Sequence, residues 1–187
     1  MKTLIIPTVG VSNVPQLVVQ KLLEWNSSTY LKKLDPSYLY PYVATNAMVT
    51  HSPLELYTLA NEIGIIQLHS PVLPGYEYQF AQQIRTVALA EGIDRIVVID
   101  SKDRGEKIGW EWFSSGASLE HLMGTLSLSD EDHIVQIGRN ATCPLVELIE
   151  DIPLDYYSVR VYEGPNAPAV GEMANLIGKR EGLVVKL

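Results

Sequence analysis

Three places in the chain gather side chains that could do chemistry. The first is Gly10-Val11-Ser12-Asn13-Val14-Pro15-Gln16, a turn between the apolar run Leu4-Ile5-Ile6-Pro7 and a stretch of helical periodicity. Free N–H groups at a helix start attract anions, so such a turn could cradle a phosphate. Neither G-x-G-x-x-G nor G-x-x-x-x-G-K-S/T is present, no basic residue is close by, and Pro15 removes a donor. The same turn sets Ser12 one glycine short of the G-x-S-x-G hydrolase elbow, with His51, His69, His121 and His133 available as bases. A serine beside a helix start more often serves the turn itself. The second place is Asp100-Ser101-Lys102-Asp103, which ends an apolar run where ligands of α/β proteins collect. A carboxylate there could hold a metal or a ribose, or simply cap a turn beside Lys102, Arg104 and Lys107. The third is Cys143, the single cysteine, which precedes Pro144 and reads as a packing residue, not a nucleophile. No His, Cys, Asp and Glu grouping has metal-ligand spacing. The expectation is no catalytic residue, no metal and no cofactor.

The elements that must carry these residues follow from periodicity. Thr3–Pro7 reads as a strand, followed by a helix ending near Trp25. Asn13 is placed as N-cap with Gln16 three residues on, the capping-box spacing, and Pro15 in the first turn. Val14, Leu17, Val18 and Leu22 form its expected buried stripe. Tyr38–Val43 reads as an edge strand because of Pro41. Leu54–Ala60 and Ile63–His69 read as a hairpin turning at Asn61-Glu62. Gly75–Glu91 is a predicted helix with Phe80, Ile84, Val87 and Ala88 inward, stopped by Gly92 in the left-handed conformation. Arg95–Asp100 has the composition of a central parallel strand and Ser101–Gly109 that of a surface loop. Beyond an ambiguous stretch, 110–132, with a short helix around Leu119–Met123, further strands are expected at His133–Gly138 and Val159–Tyr162. Helices are expected at Pro144–Ile149 and Ala167–Ile177. Strands alternating with helices predict one three-layer α/β domain over residues 1–187, with a central mixed sheet.

Composition narrows the function. The 187 residues are 47% hydrophobic and 19% charged, which is globular composition. No apolar run reaches the roughly 18 residues of a membrane span, and the apolar part of the N-terminus is too short for a signal peptide. One cysteine fits a reducing compartment, so a soluble intracellular protein with a cytoplasmic address is expected. Residues 91–163 carry 15 of the 22 acidic residues against six basic ones. That sign argues against nucleic acid and for either a solvated face or a basic protein partner. Ten tyrosines against two phenylalanines favour surfaces with one apolar and one wet side. Tyr38, Tyr40 and Tyr42, with Trp110 and Trp112, are the candidate partner contacts.

Pro7-Thr8-Val9-Gly10-Val11-Ser12-Asn13-Val14-Pro15-Gln16-Leu17 resembles the opening block of the proteasome assembly chaperone 2 family, P-x-V-S-V-G-N-V-x-Q-L. Asn13, Val14, Gln16 and Leu17 are the matching motif positions. Leu68-His69-Ser70-Pro71-Val72-Leu73 followed by Arg95-Ile96-Val97-Val98-Ile99-Asp100-Ser101 is similar to a second block of that family. Val161-Tyr162-Glu163-Gly164-Pro165-Asn166-Ala167-Pro168 is similar to a third. The resemblance implies a phosphorylase/hydrolase-like fold without catalysis. It further implies a heterodimer with a proteasome assembly chaperone 1-like subunit, which binds the proteasome α-subunit ring and guides core-particle assembly. Gly10 and Ser12 exchange the family's Ser/Gly order. The ending Val184-Val185-Lys186-Leu187 lacks the hydrophobic-Tyr-X tail of some members, so tail anchoring is expected from the partner, and deleting Lys186 and Leu187 should spare ring binding. The competing class is a nucleoside phosphorylase- or hydrolase-type enzyme, which needs a phosphate-binding arginine. Arg85, Arg95, Arg104, Arg139, Arg160 and Arg180 are available, none in a recognisable motif.

Overall fold

The computed structural model describes residues 1–42, 44–46, 49–60, 62–103, 109–115 and 134–185. The helix expected at Leu119–Met123 lies outside these residues, as do Arg104, His121, His133, Lys186 and Leu187. In chain order the elements are β1 (Thr3–Pro7), α1 (Val14–Trp25), β2 (Thr29–Lys33), β3 (Ala44–Asn46), β4 (Val49–His51), β5 (Leu54–Leu59), β6 (Ile63–Leu68), α2 (Glu77–Ala90), β7 (Arg95–Asp103), β8 (Gly109–Ser114), β9 (Ile134–Gln136), α3 (Pro144–Leu148), β10 (Leu154–Val161) and α4 (Ala167–Arg180).

Eight strands form one mixed sheet in the order β2-β5-β6-β1-β7-β10-β8-β9. The central four, β6, β1, β7 and β10, are parallel, and their apolar runs are buried on both faces. β5 and β8 flank them in antiparallel pairing. β3 and β4 make a separate antiparallel ribbon. Alternation along β1 sends Ile5 to one face, with α1 and α4, and Leu4 and Ile6 to the other, with α2 and α3. This is the expected three-layer α/β architecture.

Several local expectations change. The segment at Tyr38 is a turn with a single bridge, Leu39 to Val72, and not a strand, and the edge belongs instead to β2. All five residues of β2 are exposed, and Lys32 and Lys33 blunt the open edge. β7 continues to Asp103, so the expected loop begins later than Ser101. On α1 the buried residues are Val14, Pro15, Val18, Val19 and Leu22, whereas Leu17 faces solvent at 43% exposure. Asn13 is not a hydrogen-bonding cap. Its φ of 55° is left-handed, and its side chain makes no capping bond. Gln16 Oε1 consequently has no hydrogen-bond partner among the described residues, and the capping box is not formed. Gly92 does adopt the left-handed position after α2, at φ 63°.

Candidate functional site

The C-terminal ends of β1, β6 and β7 open into a cavity of about 410 Å³, the location expected for a ligand site in an open α/β sheet. Thr8, Glu77, Asp100, Ser101 and Cys143 supply its chemistry-bearing side chains, and Val9, Leu68, Val72 and Phe80 contribute apolar wall. Asp100 ends the apolar stretch of β7 and is 7% exposed. Its carboxylate accepts hydrogen bonds from the Thr8 hydroxyl and from the Tyr156 hydroxyl, the latter at 2.7 Å. Ser101 Oγ donates to the Val11 carbonyl at 2.8 Å. The bonds from Thr8 to Asp100 and from Ser101 to Val11 hold the loop after β1 against β7.

The turn after β1 is fastened on both sides. Gly10 passes so close to β7 that a Cβ there would lie 2.8 Å from the Ser101 carbonyl oxygen and 2.9 Å from its nitrogen. Ser12, left-handed at φ 56°, donates its hydroxyl to the Tyr162 carbonyl at 2.9 Å and accepts the Gly164 N–H at 2.9 Å. Its hydroxyl is therefore a pin between two loops. The described histidines, His51 and His69, group instead with Glu55. Burial pushes the Cys143 thiol from 9.0 up to about 12, with the Asp100 carboxylate adding to the shift. A thiol so held stays protonated at neutral pH and is no nucleophile.

The described arginines among those that phosphate chemistry would need are engaged in structural contacts. Arg85 pairs with Asp151 at 2.5 Å, and Arg95 and Arg180 converge on Asp155 at 2.7 and 3.0 Å. Arg160 pairs with Glu111 at 2.5 Å, and Arg139 donates to the carbonyls of Val146 and Ile149. None of these five lines the cavity.

The aromatic candidates divide. Trp112 is a correction. At 1% exposure, paired across the ladder with Tyr157, it belongs to the core, and Trp110 is half-buried against the same cluster. Both side chains fall on the face that α4 covers, so neither is a free surface anchor. Tyr40 and Tyr42 are 45% and 36% exposed, while half-buried Tyr38 stacks on Tyr76 at 6.0 Å. The loop carrying them is held by Tyr40 N–H to the Pro71 carbonyl and Ser70 Oγ to the Tyr40 carbonyl. Tyr76, 45% exposed, extends this surface and was missed in the sequence because it precedes α2 with no periodic partner. Of the motif positions, Val14 is buried and Asn13 exposed, and Leu17 borders a shallow groove with Pro165 and Val170 between α1 and α4.

The stretches singled out as three separate blocks therefore meet in space. Thr8–Ser12, Leu68–Val72, Asp100–Ser101 and Tyr162–Gly164 surround one loop cluster. The sequence matches the model of the PAC2 family over residues 4–174. No curated protein matches it. Among solved structures, it resembles Pyrococcus furiosus PbaA, an archaeal homologue of proteasome-assembly chaperone, with TM-score 0.78 and 14% identity over 99% of this chain and 83% of that one. P. furiosus PbaB, an archaeal proteasome activator, gives TM-score 0.74 and 11% identity over 99% and 85%. A Mycobacterium tuberculosis proteasome-assembly chaperone homologue gives 0.67 and 11% over 98% and 87%. At these identities the similarity to the solved structures establishes the fold.

Proposed function

The chain belongs to the PAC2 family, and on that basis we propose that it is a non-catalytic chaperone of proteasome assembly, built as one domain. It pairs with a related assembly chaperone of the proteasome assembly chaperone 1 type, and the pair binds the α-subunit ring. Its action is steric and selective, stabilising ring intermediates and blocking premature partners, in the cytoplasm and the nucleus. The family match over most of the chain carries this assignment. The internal use of Ser12, Asp100 and the described arginines supports it, since Ser12 joins two loops and the others make hydrogen bonds and ion pairs within the fold. Tyr40, Tyr42 and Tyr76 are the proposed partner contacts, because exposed aromatic side chains make good buried anchors.

The cavity keeps a second assignment in view, a nucleoside phosphorylase- or hydrolase-type enzyme. A protonated thiol and the lack of arginine in the wall among the described residues count against it. The deciding experiment is native mass spectrometry of the tagged protein purified from its own cells. A related chaperone and proteasome α-subunits in stoichiometric amounts are the expected companions. A lone homo-oligomer carrying nucleoside or phosphate would overturn the chaperone assignment.

A further inference from the structure

His51, Glu55 and His69 come from three different elements. His51 closes β4, Glu55 is the second residue of β5, and His69 directly follows β6. The β5–β6 ladder pairs Leu54 with Leu68 and Glu55 with Gln67, and His69 N–H donates to the Pro53 carbonyl at 2.9 Å. That register delivers His69 to Glu55. The ribbon, whose Ala44–His51 pairing ends beside them, delivers His51. One ligand atom from each residue lies within 4.8 Å of the other two. His51 Nδ1 is 3.1 Å and His69 Nε2 3.8 Å from the same Glu55 oxygen, Oε2.

The group has the surroundings of a built site. Glu55 is 2% exposed, and its carboxylate is oriented by the Ser52 N–H and the Tyr57 hydroxyl, both at 2.9 Å. The Tyr42 ring stacks on His69 at 5.4 Å. His69 Nε2 is buried and has no hydrogen-bond partner among the described residues. A buried ring nitrogen beside a carboxylate, without a bond to it, calls for a partner, and a cation supplies one. We propose that His51, Glu55 and His69 bind a divalent transition-metal ion of the zinc type, which ties the β3–β4 ribbon to the end of the β5–β6 hairpin.

The donor set decides the class of ion. Two imidazole nitrogens and one carboxylate oxygen suit zinc, whereas calcium and magnesium call for oxygen shells. Three protein ligands leave a fourth position to water. Ser52 and Tyr57 fix the carboxylate as outer ligands do in metal sites. The spacing His51-x-x-x-Glu55 alone gave no hint of this, because the third ligand arrives through strand pairing.

The test is calorimetric titration of the chelator-treated, dialysed full chain with Zn²⁺, beside His51→Ala and His69→Ala. Circular dichroism confirms that each variant is folded, and the partly exposed His51 gives a variant with little core disturbance. One equivalent is expected to bind the unaltered protein and raise its melting temperature, with binding at least about tenfold weaker in each variant. Co²⁺ in place of Zn²⁺ should give visible d–d absorption that both variants lose. No uptake by the unaltered protein would overturn the proposal. So would equal uptake by the protein and both variants, which would put the ion elsewhere.

Discussion

Gly10 carries a constraint that no other residue type meets. Its backbone runs against β7, where the contacts are the Ser101 hydroxyl and also that residue's carbonyl oxygen and nitrogen, backbone atoms that cannot swing aside as a side-chain end could. Gly10→Ala should destabilise the protein by about 1–3 kcal/mol, the usual cost of overpacking. Urea denaturation at neutral pH measures it, and an unchanged midpoint would mean that the two segments separate freely. Glycine and serine in that position already announced a turn in the sequence. What the serine does was not announced, because its partners, Tyr162 and Gly164, lie about 150 residues away in the chain.

The β8 strand and the Tyr40 loop show how aromatic residues of similar composition take opposite duties. Alternation along β8 puts Trp110 and Trp112 on one face, and α4 closes over that face. Trp112→Ala should therefore cost about 3–5 kcal/mol of stability, as large buried side chains do. Tyr40→Ala should change stability by no more than about 0.5 kcal/mol, since the residue lies outside the core and is 45% exposed. It should also weaken association with the chaperone partner or the ring by at least about tenfold, read by biolayer interferometry. Equal affinity for Tyr40→Ala and the unaltered protein would remove that loop from the contact surface.

Taken together, the buried and half-buried weak acids make the fold sensitive to alkali. Burial pushes Cys143 up to about 12 and raises Tyr57, Tyr156 and Tyr157 above the ordinary tyrosine value, with Glu55, Asp100 and Asp155 respectively adding to the shift. In the folded chain these groups remain neutral where the unfolded chain ionises. Their stabilisation is complete below the unfolded pKa values and is lost as pH rises toward the folded ones. The urea midpoint should accordingly fall between about pH 9 and about pH 11. Cys143→Ala should make the first part of that decline shallower. A midpoint independent of pH over this range would show that these groups titrate normally in the folded state.

Hydrophobic periodicity and turn chemistry, both local properties, were enough to read β1, α1, the β5–β6 hairpin, α2 with its Gly92 stop, and the three-layer class. The Tyr38 strand failed because Pro36 and Pro41 bracket a segment that takes up one bridge and leaves the edge to β2. The Asn13 cap failed because capping depends on backbone angles, and two successive left-handed residues turn its side chain from the helix. Sequence blocks marked the loop cluster, yet nothing in them said that Thr8 and Tyr156 would both donate to Asp100. Trp112 inside, Tyr40 outside and the His51–Glu55–His69 group all depend on which strands lie side by side and which helix lies over them. Those contacts are set by strand pairing and helix cover, and their energies exist only once the sheet has closed.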